Sequence, residues 1–187
     1  MKKVKLNDTY AYEDFISESE QKFILDWIEK NEDIFIVNET AVNKTHSPYG
    51  GRKFYIVKEE TNIIYNIVKK IKERVIDTED IKEWVKEPNF YDMIGINGEG
   101  GSIHIHTDPN LQGYIHVRYN VILRYPQSGG HSIYNGKINV LKEKMVWRCV
   151  AGKVKHGSVP TEGEIPRITL SLGFQIKDTK KKFFYLI

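Results

Sequence analysis

The sequence predicts a mainly β domain with helices near its N-terminus (α+β), and three observations lead to this prediction. Apolar residues recur at helical spacing before residue 88, whereas beyond it they form short β-branched and aromatic runs between Gly, Asn and Pro clusters. A length of 187 residues fits one domain with a core of its own. Helices followed by many short strands are typical of a sandwich or barrel buttressed by helices.

Two N-terminal segments have the apolar periodicity of helices, and a third, shorter segment also fits one. The first helix is predicted to begin at Ser17 and Glu20, which form a capping-box pattern. The second is predicted over Thr61 to Val75. The third would cover Thr78 to Lys86 and end at Pro88.

The remainder of the chain is predicted to form strands. The predicted strands are Phe90–Ile96, Ser102–Asp108, Tyr114–Tyr125, Ser132–Tyr134, Ile138–Leu141, Met145–Val150, Lys153–His156, Arg167–Ile176 and Phe183–Leu186. Asn135-Gly136 is a strong signal for a tight hairpin. No repeat or linker suggests a second domain, so we expect residues 1–187 to form one domain, with 1–88 as the helical buttress and first strands and 89–187 as the β core.

The composition places the chain in a broad class and excludes others. It is 40% hydrophobic and 28% charged, with a net charge of +3, which is too small a surplus for an obligate nucleic-acid binder. The single cysteine, Cys149, excludes an internal disulfide and favours a reducing, cytoplasmic compartment. No segment has the apolar length of a membrane span or a signal peptide. We therefore expect a cytoplasmic protein without a membrane segment.

Three polar side chains alternate in one predicted strand. His104, His106 and Asp108 would share one face of a strand over Ser102–Asp108. Imidazoles and a carboxylate are costly to bury without partners, and a metal ion is the commonest resolution. The pattern therefore predicts a metal site.

Two later segments could complete this site. His156, which closes a predicted strand before a turn, is the best candidate for a third ligand. Arg167 and Thr169 alternate on the strand that follows, and an Arg with a nearby hydroxyl suits a carboxylate guest. Two imidazoles and one carboxylate on one side of a metal leave neighbouring positions open for a chelating acid and dioxygen.

Taken together, these motifs resemble a known family. The segment from Asn89 to Ile176 resembles the Fe(II)/2-oxoglutarate-dependent oxygenase superfamily, closest to its prolyl-4-hydroxylase-like branch. The motifs that carry the resemblance are His106-Thr107-Asp108, Gly129-Gly130, His156-Gly157-Ser158-Val159-Pro160 and Arg167-Ile168-Thr169-Leu170-Ser171. The resemblance implies a double-stranded β-helix, or jelly roll, with the N-terminal helices packed on one sheet.

The resemblance also implies roles for these residues. His106, Asp108 and His156 would bind Fe(II), and Arg167 with Thr169 would bind the distal carboxylate of the cosubstrate 2-oxoglutarate. Dioxygen would be consumed, and ascorbate could serve as a reductant. Asp108 stands where related halogenases have a small residue, which favours hydroxylation.

One departure from the family concerns a tyrosine that often contacts 2-oxoglutarate. If Val121 and Leu123 face the helices, then Arg118, Asn120, Ile122 and Arg124 face the cavity, and Asn120 is the first choice for the missing donor.

The substrate implied by this branch is an amino-acid or protein side chain. Arg118, Arg124, His131 and the loop from His46 to Arg52, read either as a lid or as a surface loop, could receive a small acid, a peptide or a nucleotide. The alternatives are a cupin-like or non-catalytic metal-binding jelly roll, or an oxygenase acting on a small metabolite or nucleotide. The sequence does not indicate an oligomeric state.

Overall fold

The structure, a computed structural model, describes residues 1–37, 51–58, 63–88 and 91–178. The predicted strand Phe183–Leu186 and most of the loop from His46 to Arg52 lie outside these ranges. Within them, none of the helices combines the length and the apolar character that crossing a membrane requires.

The first two predicted helices are present among the described residues. Helix α1 spans Glu18–Lys30 and begins with the predicted capping box, in which Ser17 accepts from the Glu20 backbone and the Glu20 side chain accepts from the Ser17 backbone. Helix α2 spans Ile63–Glu79. A short 3-10 turn, Glu32–Ile34, follows α1.

The predicted third helix is wrong. Helix α2 continues to Glu79, and Asp80 then adopts a left-handed conformation with φ of 51°, which ends the helix. Trp84–Lys86 is a strand that pairs with the long C-terminal strand, where Ile176 lies opposite Trp84. The aromatic and β-branched residues Trp84 and Val85 fit this pleated position better than a short helix.

Strands account for most of the rest. In chain order they are β1 Lys2–Lys5, β2 Tyr10–Glu13, β3 Ile36–Val37, β4 Arg52–Val57, β5 Trp84–Lys86, β6 Asp92–Asn97, β7 Tyr114–Arg124, β8 Ser128–Gly129, β9 Ser132–Tyr134, β10 Lys137–Asn139, β11 Val146–Cys149, β12 His156–Ser158, β13 Thr161–Glu162 and β14 Arg167–Lys177. Among the described residues, nine strands form a large antiparallel sheet in the order β1-β2-β11-β7-β14-β6-β4-β3, with β5 also paired to β14. Smaller sheets are formed by β10-β9-β12 and by β13-β8.

The large sheet has an apolar layer on each face. On one face, Val121 and Leu123 of β7 pack with residues of α1 and α2 such as Ile24 and Ile64. On the other face, Ile122 of β7 packs with Trp147 of β11 and with Tyr134 of the smaller sheet, among other residues. This arrangement confirms the predicted jelly roll with helices on one sheet, and it confirms the predicted alternation along β7.

Several strand boundaries differ from the prediction. The hairpin at Asn135-Gly136 is confirmed, with φ of 52° and 72° joining β9 to β10. By contrast, Ser102–Asp108 is not a continuous strand, and only isolated bridge residues occur there. The strand predicted over Lys153–His156 begins instead at His156. Short strands β1 and β2 were not predicted because β1 is mostly exposed and polar.

A carboxylate at the end of α2 accepts hydrogen bonds from the large sheet. The side chain of Glu79 accepts hydrogen bonds from the hydroxyls of Tyr10, Tyr12 (2.6 Å) and Tyr119 (2.9 Å). These tyrosines belong to β2 and β7, so the helix end is held against two neighbouring regions of the sheet. We call this group the Glu79 cluster.

Candidate active site

His106, Asp108 and His156 come together between the large and small sheets. The backbones of His106 and His156 form two reciprocal hydrogen bonds, with N···O distances of 3.0 and 2.9 Å. The Asp108 amide donates to Ala151 O at 2.9 Å. Gly157 follows His156 at a crowded point, since a Cβ there would lie 2.6 Å from Ile103 O. The local backbone therefore fixes the relative positions of these three residues.

The side chains converge as metal ligands do. Oδ1 of Asp108 lies 3.1 Å from Nε2 of His106 and 4.0 Å from Nε2 of His156. One ligand atom from each residue can be chosen so that all lie within 4.8 Å of one another. A single cation between them could contact all these atoms at ordinary coordination distances.

The other ring nitrogens have acceptors of their own. Nδ1 of His106 lies 2.6 Å from His104 O, and Nδ1 of His156 lies 3.1 Å from Val154 O. Because a carbonyl only accepts, we infer that each Nδ1 carries a proton, so that each Nε2 would present its lone pair to a bound cation. This is how metal-binding histidines are commonly oriented. Without a cation, a proton on Nε2 of His106 can instead donate to Asp108.

The second oxygen of Asp108 faces the sheet. Oδ2 lies 3.3 Å from Nε of Arg118 and 3.3 Å from Nδ1 of His116. Arg118 also donates from Nη1 to Ser171 Oγ at 3.1 Å, and its Nη2 lies 3.7 Å from Glu87. Asp108 thus directs one oxygen towards the rings of His106 and His156 and the other towards Arg118, which fits monodentate coordination of a metal.

The surroundings of Asp108 and the nearby histidines shift the pKa values of their side chains. Burial alone would raise the pKa of Asp108, but the hydrogen bond from His106 and the charge of Arg118 bring it well below its usual range. The bond to Asp108 raises the pKa of His106, whereas burial lowers the pKa of His156. Burial, reinforced by Arg118, lowers the pKa of His116 to about 4. Asp108 is therefore ionised at neutral pH, as a metal ligand must be.

Arg167 opens β14 on the same side of the large sheet. Its residue surface is 4% exposed, and Nη2 donates to Ser132 Oγ of β9 at 2.9 Å. Its Nε has no hydrogen-bond partner among the described residues. Burial lowers the pKa of Arg167 to about 10, and the nearby Tyr125 opposes this shift. A buried guanidinium with an unused donor fits an anionic guest.

The other predicted residues have less direct support. Thr169 is half-buried on the face of β14 that points away from the helices, next to a register shift relative to β7. Asn120 is half-buried on β7, opposite Ser171 and Trp147. The assignment of these two residues to cosubstrate binding stays a prediction.

The interpretation of His104 changes with the structure. The predicted common strand face of His104, His106 and Asp108 is absent, and the His104 side chain is exposed. Only its backbone carbonyl takes part, as the acceptor for the His106 ring. The chain turns at Ile105 instead of continuing as a strand, so alternation no longer places His104 beside the other two.

Some residues near the site were missed or misread from the sequence. Ser132, which holds Arg167, and Glu87, which is 1% exposed beside Arg118, had no distinguishing motif. His116, two residues before Arg118 on the same face of β7, also had no distinguishing motif. Arg118 was read as a possible substrate contact, but in the structure it contacts Asp108. His131 instead forms a hydrogen bond with the Tyr125 hydroxyl.

Comparison with known proteins supports the fold. No protein-family model and no curated protein sequence matches this chain. Solved structures do match. A Trichoplax adhaerens prolyl hydroxylase in complex with a hypoxia inducible factor oxygen degradation domain peptide fragment aligns with a TM-score of 0.69 and 13% identity, over 91% of this chain and 84% of that one.

Two further structures match at similar levels. A Pseudomonas putida prolyl-4-hydroxylase aligns with a TM-score of 0.63 and 9% identity, over 90% of this chain and 91% of that one. HygX from Streptomyces hygroscopicus, with nickel and 2-oxoglutarate bound, aligns with a TM-score of 0.64 and 8% identity, over 90% of this chain and 82% of that one. The chain therefore has the fold of 2-oxoglutarate-dependent oxygenases of the prolyl-4-hydroxylase-like branch.

Proposed function

We propose that this protein is an Fe(II)- and 2-oxoglutarate-dependent dioxygenase that hydroxylates an unactivated C–H bond and releases succinate and CO2. The observation that carries the proposal is the convergence of His106, Asp108 and His156 on one point, with ligand atoms within 4.8 Å. The fold, which is shared with prolyl hydroxylases and with the nickel- and 2-oxoglutarate-bound HygX, supports it.

The donor set fits Fe(II). Two neutral imidazoles and one carboxylate form the three-ligand face that non-haem iron oxygenases use. Asp108 would neutralise part of the metal charge, while the His104 and Val154 carbonyls orient the rings. When bound, the iron would supply the oxygen activation that the side chains cannot provide.

The residues next to the candidate ligands suit 2-oxoglutarate. Arg167 would hold the distal carboxylate through its guanidinium, with Ser132 fixing the orientation of the Arg167 side chain. We propose Thr169 and Asn120 as further cosubstrate contacts from their places on the cavity sides of β14 and β7. The small sheet would cover this region and restrict water.

The substrate that best fits this branch is an amino-acid or protein side chain. The Trichoplax adhaerens match holds a peptide fragment, which supports a peptide or comparable substrate. We propose that residues 1–187 act as one oxygenase domain, and that the compartment is the reducing cytoplasm, which the free, buried Cys149 fits. An oxygenase of small metabolites or nucleotides is the second candidate.

The proposal is tested by metal binding and by succinate release. Under anaerobic conditions the protein should bind Fe(II) in an equimolar ratio, and 2-oxoglutarate should then bind to the loaded protein. With dioxygen and ascorbate present, a panel of amino acids, peptides and nucleosides should contain compounds that increase succinate release. If the protein binds metal but none of these compounds increases succinate release, it is a non-catalytic metal-binding module. If metal binding is unaffected in a double alanine variant of His106 and His156, the ligand assignment is wrong.

A further inference from the structure

Three rows of residues cross β4, β6 and β14 on the face of the large sheet that points away from the helices. Residues opposite one another on adjacent strands project to the same face of a sheet. Tyr55, Ile94 and Leu170 pack in the core on the helix side, so their chain neighbours project to the other face. The rows are Arg52, Asn97 and Arg167; Phe54, Gly95 and Thr169; and Ile56, Met93 and Ser171. The first row is polar, whereas β4 and β6 contribute apolar residues or glycine to the other two.

The apolar members of these rows are not enclosed in a core. Phe54, Ile56 and Met93 are half-buried, and Ile36 of β3, which lies opposite Phe54, is 56% exposed. Neither of the two apolar clusters of the described residues includes any of the four. We call Ile36, Phe54, Ile56, Met93 and Gly95 the β4–β6 surface. Apolar side chains grouped in this way commonly mark a binding site.

Gly95 leaves space in the middle of the β4–β6 surface. A Cβ built on Gly95 would have no described atom within 4 Å, its chain neighbours aside. The φ of Gly95 is not in the left-handed region, so the backbone there does not require glycine. Glycine inside a strand weakens it, and it often marks a point that a ligand approaches closely. The open space over Gly95 therefore favours a binding role.

The β4–β6 surface is continuous with the candidate active site. Met93 is the register partner of Ser171, and adjacent strands lie about 4.8 Å apart. The Ser171 hydroxyl accepts from Arg118 at 3.1 Å, and Arg118 also donates to Asp108 at 3.3 Å. A group bound against Met93 is thus only a few side-chain contacts from a candidate metal ligand.

The composition of the two rows indicates which kind of group they bind. They contain no charged residue, and their polar side chains are those of Thr169 and Ser171. A charged substituent would lose its water there without gaining a partner of opposite charge. Burial of an aliphatic or aromatic side chain would instead favour binding.

We propose that the β4–β6 surface is a substrate subsite that binds an uncharged apolar side chain of a peptide, with Gly95 leaving room for it. This inference rests on the proposed function. Binding this side chain beside the candidate metal site would hold a neighbouring C–H bond of the same peptide in position for oxidation. Phe54 and Met93 would then set the preference for apolar residues.

A binding experiment observes this surface directly through Met93. The chain has three methionines, and the other two differ in environment, since Met145 is 4% exposed in a core cluster and Met1 is 66% exposed. The protein is labelled with 13C-methyl methionine, loaded with Zn(II), which does not support turnover, and saturated with 2-oxoglutarate. It is then titrated with capped glycine pentapeptides that carry a central Leu or Asn, which are similar in size, and separately with adenosine.

The Leu peptide should shift the NMR resonance of the Met93 methyl group saturably and leave that of Met145 unchanged. It should bind at least about tenfold more tightly than the Asn peptide, because burying a leucine side chain contributes about 1.5–3 kcal/mol and about 1.4 kcal/mol corresponds to tenfold.

Gly95→Leu tests the open space without removing any side-chain contact. Because the described surroundings leave room for the new side chain, the free energy of unfolding should not fall. The Leu peptide should bind at least about tenfold more weakly, while 2-oxoglutarate affinity should change less than about threefold. Lys53→Leu adds an apolar side chain on the opposite face of β4, where Lys53 contacts Glu32. It is the matched control and should change neither affinity.

Several outcomes would overturn the inference. One is a Met93 methyl resonance that responds to neither peptide while 2-oxoglutarate binds. Equal affinities for the Leu and Asn peptides would contradict the apolar preference, and tighter binding of adenosine would favour a nucleotide substrate. A Gly95→Leu variant that binds the Leu peptide normally, or that does not fold, would contradict the open space. A zinc-loaded wild type that binds no 2-oxoglutarate would overturn the proposed function as well, which distinguishes it from the other results.

A turnover experiment connects this surface to the reaction. Succinate release by the iron-loaded protein is measured with capped peptides in which a varied residue is followed by Leu or by Asn. The Leu peptides should stimulate release with a lower KM. Gly95→Leu should raise the KM for these peptides at least about tenfold and leave the KM for 2-oxoglutarate unchanged. Equal stimulation by the two sets, or none by either, would contradict the proposed subsite.

Discussion

Two half-buried carboxylates, Asp108 and Glu79, are each surrounded by several donors, but these donors differ in their chemistry. Glu79 accepts from the hydroxyls of Tyr10, Tyr12 and Tyr119, which are neutral donors that keep their protons. Asp108 faces two imidazoles through one oxygen and Arg118 through the other.

The difference separates a structural carboxylate from a candidate ligand. In the Glu79 cluster each tyrosine hydroxyl already has the carboxylate as its acceptor, and the charge of Arg148 lies nearby. At Asp108, the contact with Nε2 of His106 at 3.1 Å needs a proton between the two atoms, and a metal ion would replace that proton. Substitutions and pH titrations can test this distinction.

The largest effect is expected from removing the carboxylate of the candidate site. Asp108→Ala should lower Fe(II) affinity by more than about a hundredfold, since even residues that only support ligands account for tenfold to a hundredfold. Turnover should be lost with it. Anaerobic titration measures the affinity, and Glu164→Ala, which removes an exposed carboxylate, is the control. Unchanged affinity in Asp108→Ala would remove the distinction between the two carboxylates.

Arg167→Gln should raise the 2-oxoglutarate concentration required for turnover by about thirtyfold or more. Truncating one partner of a buried charged pair costs about 2–5 kcal/mol. Fe(II) affinity should stay the same, because Arg167 contacts Ser132 and is not one of the three candidate ligands. Lys177→Gln, at the exposed end of the same strand, is the control. An unaltered requirement would exclude Arg167 from this role.

Arg118→Gln should reduce Fe(II) affinity by about tenfold to a hundredfold, the range typical of residues that orient a ligand. The variant loses the donor that holds Oδ2 of Asp108. Arg118→Lys should reduce Fe(II) affinity less, because lysine keeps the positive charge but not the donor geometry of the guanidinium. Competition with a fluorescent chelator measures the difference. Equal Fe(II) affinities in the wild type, Arg118→Gln and Arg118→Lys would show that Asp108 is oriented by its backbone alone.

Glu79→Gln should leave metal affinity unchanged and lower the free energy of unfolding by about 2 kcal/mol. Hydrogen bonds to a charged acceptor contribute about 1.5–3 kcal/mol each, and an amide retains part of them. Urea denaturation measures the loss. A Glu79→Gln variant that keeps full stability but has a lower metal affinity would reverse the roles assigned to the two carboxylates.

A further loss of stability is expected at alkaline pH. Burial, together with the bond to Glu79, raises the pKa of Tyr12 to about 12, and it also raises the pKa values of Tyr10 and Tyr119. A raised pKa in the folded state gives stability that is present below the ordinary tyrosine pKa of about 10 and is lost as pH rises through the folded value. Unfolding should therefore become easier from about pH 10 to 12, and less steeply so in Tyr12→Phe. Identical dependence of the unfolding free energy on pH in the wild type and in Tyr12→Phe would contradict this prediction.

The sequence predicted the parts of the site that depend on local pattern. The alternation in β7 and β14 was read correctly because a strand has a fixed period of two, and this placed Arg118 and Arg167 on the cavity side. The capping box and the Asn135-Gly136 hairpin were also correct, since each is defined within a few residues.

The remaining features depend on contacts between distant segments. Ser132 lies 35 positions from Arg167, and no motif joins them. Trp84–Lys86 became a strand because β14 offered an edge to pair with, a tertiary contact that outweighs a helical pattern. Arg52 was read as part of a loop, and only its register with Asn97 brought it to the candidate site.

The paired backbone hydrogen bonds between His106 and His156 have a practical consequence. Because the backbone itself holds these residues together, removing a bound ion with a chelator should leave the candidate ligands in place. The emptied protein could then be refilled with cobalt or nickel without a refolding step. Such substituted forms would make the coordination sphere directly visible to optical and magnetic spectroscopy.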